Sequence, residues 1–284
     1  MTDITKELIT QCEKNYNDVL RHVASEVIGR IKIFVMVTGA SCAGKTTTTK
    51  KLREYFAESG VHAETISLDD FYVGREKTPL TPDGKPDYET IRSLDLPLLN
   101  SIMSDLAVGK NVRIPRFDFA AGCRSDEYEE LSLDPGEVVI IEGLHALNPL
   151  LFEHVDSSLA YRVYLYAEEE HYDVKLLRRI VRDSNYRGYL DAVITFDMWD
   201  NVLRGENLYI KPYSCDADVK INTFFPYETR LFSHEGCVLL DAVDENSPYK
   251  AKAVALKKVI DGLEPIPYSM IPQDSLMVEF VKIV

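Results

Sequence analysis

The sequence predicts an α/β fold in which a parallel sheet of about five strands lies between layers of helices. Three observations carry that prediction. Short β-rich apolar runs alternate along the chain with segments of helical apolar spacing, the pattern of repeated βαβ units. A glycine-rich stretch fitting GxxxxGK[ST] joins the first such run to a helix. The length, 284 residues with 45% apolar side chains, is enough for one large buried core.

Residues 1–30 place Ile4, Leu8, Ile9, Cys12, Tyr16, Val19, Leu20 and Val23 at helical intervals. They predict an amphipathic helix packed on the body, with residues 31–284 forming a single domain. The run at 31–37 (IKIFVMV) reads as a strand buried on both faces. A glycine-containing loop follows, then a helix over 46–59 that stops at Gly60. Strands are expected at 64–68, 138–141 and 161–166, with a weaker fifth at 237–240. Helical patterns occupy 93–106 and 168–182. The segment 78–86 (TPLTPDGKP) is a Pro/Gly-rich loop long enough to serve a ligand. The tail beyond Gly262, with Pro265, Pro267 and Pro272, reads as an extended segment laid on the body.

Composition excludes several function classes. The net charge of −14 argues against binding nucleic-acid polymers, because a surface that repels phosphate gains no affinity from counterion release. The charge is unevenly spread. Residues 175–187 hold five cations and one acid, whereas 126–137 hold six acids and no cation. The five cysteines are scattered, with no CxxC pair and no zinc-ligand spacing. No run approaches the ~18 apolar residues of a membrane span, and the polar N-terminus does not resemble a signal peptide. A reduced, cytoplasmic protein is expected.

The stretch Gly39-Ala40-Ser41-Cys42-Ala43-Gly44-Lys45-Thr46 fits the phosphate-binding loop (P-loop) pattern. Its glycines let backbone N–H groups turn inward around phosphate oxygens, and the helix that follows adds its positive N-terminal end. Lys45 would reach the β- and γ-phosphates, and the Thr46 hydroxyl would ligate Mg²⁺. Thr47 completes the nucleotide-binding set. The DxxG and NKxD patterns of GTPases do not occur, which shifts weight to a small-molecule kinase.

Further along come Asp69-Asp70-Phe71-Tyr72, then Ile114-Pro115-Arg116-Phe117-Asp118-Phe119, then Ile140-Ile141-Glu142-Gly143. Arg178-Arg179-Ile180-Val181-Arg182-Asp183 with Arg187-Gly188 follow, then Met198-Trp199 with Gly205-Glu206. In this order, with the P-loop, they resemble the uridine kinase/phosphoribulokinase family of P-loop kinases, over roughly residues 33 to 284. The likeness is greatest to bacterial uridine kinase-like nucleoside kinases. It implies a P-loop NTPase fold with a helical, arginine-rich lid at about 168–189. It implies Asp69 as the base that accepts the attacking hydroxyl's proton, with Asp70 as its stand-in. Glu142, and Asp69 beside it, would help Thr46 hold Mg²⁺. Arg182, Arg187 and Arg179, with Arg178 the weakest of the set, would neutralise charge on the transferred group. The acceptor would be held by Glu89, with Asp87 as rival, and by Tyr72, Phe117 and Arg124.

One departure stands out. Pyrimidine-specific members place a base-contacting histidine soon after the Asp-Phe pair, whereas this chain reads Phe119-Ala120-Ala121-Gly122-Cys123-Arg124. His145 is expected to be structural, and Trp199 to pack in the lid or core. The sequence therefore implies an ATP- and Mg²⁺-dependent kinase for a small-molecule hydroxyl, foremost the 5′-hydroxyl of a nucleoside. Other acceptors are a sugar phosphate, pantothenate or glycerate, for which Arg113, Arg116 and Arg124 offer cations. A regulator that binds nucleotide without catalysis is the reading from another class. Self-association is left open, and neither nucleic acid nor membrane is expected as a partner.

Overall fold

The computed structural model describes residues 6–81, 84–169 and 173–282. Ile4 of the first helical pattern, part of the 78–86 loop and residues 170–172 of the 168–182 pattern lie outside the described residues. Five parallel strands form the central sheet: β1 (Phe34–Gly39), β2 (Ala63–Ser67), β5 (Val138–Glu142), β6 (Ala160–Tyr166) and β7 (Val219–Asn222). Their spatial order is β2-β5-β1-β6-β7, so the chain leaves and re-enters the sheet through helical crossovers. A separate antiparallel hairpin, β3 (Val112–Asp118) and β4 (Cys123–Leu131), stands beside it.

Strand alternation divides the core. Val35, Val37, Ile140, Val163 and Leu165 face one layer, and Phe34, Met36, Val139, Ile141 and Ile66 face the other. The first layer comprises α1 (Lys6–Gly29), α2 (Lys45–Glu58), α4 (Val174–Arg187), α5 (Ala192–Gly205), α6 (Glu228–Asp241) and α7 (Lys250–Ile260), whose apolar faces share one cluster. The second is built on α3 (Leu96–Ala107). The spacing of α1 sends Leu20, Val23 and Val27 into the core with no exposed surface. Each such side chain contributes about 1.5–3 kcal/mol on burial.

One expectation is corrected. Residues 237–240 are not a strand but the last turns of α6, because an apolar run of four fits a helix flank as well as a strand. The fifth strand is β7, an edge strand with only Ile221 buried, too polar to announce itself. The arginine-bearing helix α4 sinks Val174, Leu177, Ile180 and Val181 into the core. All five cysteines are free thiols, and among the described residues no helix is long and apolar enough to cross a membrane.

Candidate active site

The site lies at the carboxyl ends of β1, β2 and β5, where open α/β sheets bind ligands. The register explains why three chemical groups meet there. Glu142, the last residue of β5, pairs with Val37 on one side and Ser67 on the other. The P-loop therefore follows β1 and Asp69 follows β2 on either side of the Glu142 carboxylate.

The loop itself is held from below. Cys42 and Gly44 adopt positive φ, 62° and 83°, which turns the backbone tightly into α2. Gly44 is also pressed by the tail: a Cβ there would collide with the Leu276 side chain. Fully buried Arg178 donates to the Cys42 carbonyl at 3.0 Å, to the Thr223 carbonyl at 2.6 Å and to Glu228 at 2.7 Å. Thr223 Oγ1 donates to the Ala43 carbonyl at 3.0 Å. Arg178 thus shapes the loop and is not a lid cation, correcting the sequence expectation. Lys45 Nζ folds over the loop and donates to the Gly39 and Ala40 carbonyls at 2.9 and 3.1 Å.

A cleft of about 300 Å³ opens above the loop, lined by Ser41, Cys42, Lys45, Thr46, Asp69, Glu142 and, from α4, Arg179, Arg182 and Arg187. The three arginines converge on one carboxylate, that of fully buried Asp183, at 3.4, 2.7 and 3.5 Å respectively. Arg179 also donates to Ser41 Oγ at 3.0 Å, tying α4 to the loop.

Asp69 is accessible at the cleft mouth yet walled by protein. That shielding raises its carboxyl above the usual range, while Lys45 pulls the other way. The turn after β2 is capped by Ser67, whose Oγ accepts from Asp69 N–H, so Asp69 is not consumed as a cap. Asp70 is committed: its carboxylate accepts from Phe117 N–H at 3.0 Å and from Arg116 at 3.1 Å, which fastens the hairpin. It is therefore no stand-in base. Glu142 accepts from Ser67 Oγ at 3.0 Å and is likewise raised by burial against the pull of Lys45. A shielded carboxylate beside a threonine hydroxyl suits a hard cation that keeps water and phosphate as its other ligands. Among the described residues no group of three or more acidic, His or Cys side chains forms a ready-made metal cage.

Two hollows adjoin the cleft. One, about 310 Å³, is walled by Tyr72, Tyr88, Phe117 and Phe119 and shares Asp69 with the phosphate cleft. Its rings meet edge to face, Tyr72 to Phe117 at 5.7 Å and Phe117 to Phe119 at 5.1 Å. The other, about 620 Å³, shares only Glu89 and Arg179 with the cleft. Glu89 faces the cleft, its carboxyl pushed up to about 7 by burial against the pull of Arg179 and Lys45. Asp87 does not compete for its place, because it is buried and ion-paired with Arg204 at 2.9 Å. Arg124 is spent on Asp95, the cap of α3, at 3.1 Å and lines none of these hollows. His145 is buried and held neutral, its pKa lowered to about 4 by burial. Trp199 is core, its Nε1 donating to Asp173 at 3.0 Å.

One cleft residue carried no signal in the sequence. The C-terminal tail returns over α2 through Asp274, which pairs with Lys51 at 2.7 Å, and buries Leu276 and Met277. This brings Glu279 to the helix N-terminus, where its Oε2 accepts from Thr47 Oγ1 at 3.1 Å and Thr47 N–H at 3.4 Å. No motif marks it, because the contact spans 232 residues of sequence.

Comparison with known proteins bears on the fold and the family. The sequence profile of the phosphoribulokinase/uridine kinase family matches residues 34–229. A uridine kinase of Brevibacillus brevis is 32% identical over 193 residues, covering 66% of this chain and 84% of its own. One from Deinococcus deserti is 28% identical over 194 residues, covering 68% and 89%. Among solved structures, one from Bacillus stearothermophilus described as a "Possible Uridine Kinase" superposes with a TM-score of 0.50 at 17% identity. It covers 72% of this chain and 99% of its own, and supports the P-loop kinase fold.

Proposed function

Because this chain belongs to the phosphoribulokinase/uridine kinase family, P-loop kinases that transfer phosphate to a hydroxyl, we propose that it phosphorylates the 5′-hydroxyl of a nucleoside using ATP. The observation that carries this reading is that Asp69 lines both the phosphate cleft and the aromatic hollow. A flat base stacked among Tyr72, Tyr88, Phe117 and Phe119 would set its sugar beside that carboxylate. Uridine kinase relatives support the choice of a nucleoside.

Each group then has a physical task. The P-loop from Gly39 to Thr47 and Lys45 hold the polyphosphate by backbone N–H groups and one cation. Asp69 takes the proton from the attacking hydroxyl, and its raised affinity for a proton suits that step. Glu89 grips a second sugar hydroxyl. Arg179, Arg182 and Arg187 stabilise charge on the moving phosphoryl group. Thr46 and Glu142, with Asp69 adjacent, would hold Mg²⁺, which when bound would neutralise phosphate charge.

A sugar-phosphate acceptor finds little support in the hairpin, because its cations are already neutralised. Arg113 pairs with Glu130 at 3.6 Å, Arg116 with Asp70 at 3.1 Å and Arg124 with Asp95 at 3.1 Å. The test is turnover of a nucleoside panel with ATP and Mg²⁺, followed by coupled ADP release and product mass. Asp69→Asn should lower kcat by about 10²–10⁴-fold while nucleotide binding persists. Near wild-type turnover in that variant would remove Asp69 as base. Phosphorylation of glycerate or pantothenate in place of any nucleoside would remove the acceptor assignment.

A further inference from the structure

The aromatic hollow has one charged group on its wall besides Asp69: the exposed guanidinium of Arg75. Its position is built by the backbone. Gly74 closes a turn, accepting from Thr78 N–H at 3.1 Å and Thr78 Oγ1 at 2.9 Å. Arg75 N–H then donates to the Gly122 carbonyl at 2.9 Å, stapling this turn to the tip of the β3–β4 hairpin. Gly122, at φ +70°, offers a bare backbone surface on which the guanidinium lies. A Cβ there would stand 3.1 Å from Arg75 Nε and 3.2 Å from Nη2, so any side chain at 122 would crowd the group.

Arg75 also differs from its neighbours in charge pairing. Arg113, Arg116 and Arg124 are each tied to a carboxylate, whereas Arg75 has none among the described residues. A cation set in an aromatic wall, with its fork of donors unclaimed, is available to whatever fills the hollow.

We propose that Arg75 is the specificity-determining residue of the acceptor pocket, donating to the 4-carbonyl of a stacked uracil and so selecting uridine over cytidine. The chemistry is one-sided. A guanidinium carries only donors, so it satisfies the 4-carbonyl of uracil but meets the 4-amino group of cytosine donor to donor, whereas the 2-carbonyl is common to both bases. A site built to hydrogen-bond one group rejects the analogue that lacks it, because the pocket's own polar group is left unmatched. This rests on the nucleoside reading above and adds which class of base is taken.

The experiment compares kcat and KM for uridine and cytidine in wild type, Arg75→Ala and Arg75→Lys, with melting curves to confirm folding. Wild type should favour uridine in kcat/KM by about ten- to a hundredfold, the range of a charge-assisted hydrogen bond. Arg75→Ala should shrink that preference to about threefold or less, mainly through a higher KM for uridine, and Arg75→Lys should restore part of it. An Arg75→Ala enzyme that keeps the full preference, or a wild type that uses cytidine as well as uridine, overturns the proposal while leaving a nucleoside kinase intact. If wild type phosphorylates neither uridine nor cytidine but does use another nucleoside, this proposal falls alone; if it uses no nucleoside at all, the acceptor assignment falls with it.

Discussion

Glu279 presents the sharpest test of how the phosphate cleft is balanced. Its carboxylate sits on the first turn of α2 and accepts from Thr47 N–H and Oγ1, a helix start whose N-cap, Gly44, has no side chain to offer. A polyphosphate entering the P-loop needs the same N–H groups and the same end of the helix dipole. The tail carboxylate therefore competes with the ligand and repels it. A charge at a partly buried helix N-terminus is worth between about 0.3 and 2 kcal/mol. Glu279→Gln keeps the volume and one acceptor oxygen while removing the charge, so nucleotide should bind about two- to thirtyfold more tightly. Calorimetric titration of ATP into wild type and variant measures this directly. Repeating it at higher ionic strength should narrow the gap, because the effect is electrostatic. Unchanged or weaker binding in Glu279→Gln would refute the competition and recast the carboxylate as part of the binding set.

Two further predictions concern buried charge. Arg178→Met should destabilise the fold by about 3–5 kcal/mol, since it strands the Glu228 carboxylate in the core and frees the Cys42 and Thr223 carbonyls. That corresponds to a fall of roughly 6–20 °C in melting temperature, and a loss below about 1 kcal/mol would show the pair to be dispensable. Glu89, raised from 4.5 to about 7 chiefly by burial, holds its proton more tightly in the native state than in the unfolded chain. Its contribution to stability is therefore present at low pH and is lost as pH climbs from about 4.5 through about 7. Denaturant midpoints of wild type and Glu89→Gln should thus differ in slope across that window, and parallel curves would contradict the burial of this carboxyl.

The parts of the molecule with local causes were legible in the sequence. The strands at 31–37, 138–141 and 161–166 are apolar because both their faces are covered, and the structure places β1, β5 and β6 on them with shifts of one to three residues. The P-loop is equally local, since its spacing is set by the turn it makes. What escaped depends on distant partners. β7 is held by pairing with β6, and its own four residues, VKIN, carry little apolar pattern. The strand β4 is exposed along most of its length, so no alternation betrays it. The acidic and basic residues of the site show the same division. Asp69 and Asp70 look alike in sequence, yet contacts from the hairpin leave one open to the cleft and consume the other. Asp87 and Arg124 carry suitable chemistry but are bound to Arg204 and Asp95, partners no local reading would supply.

The origin of the charges around the cleft has a consequence for how a ligand can lie there. Arg179, Arg182 and Arg187 all come from α4, and the carboxylates of Asp69 and Glu142 come from the ends of β2 and β5. The site is thus polarised rather than simply positive, inside a chain whose overall charge is −14. A bare polyphosphate would be drawn to one side and pushed by the other. A chelate with its cation toward the strands and its oxygens toward the helix satisfies both, and reversed it satisfies neither. On the function proposed above, the cleft would act as an orientation filter, accepting a metal-bound triphosphate one way round before any group on the acceptor has been recognised.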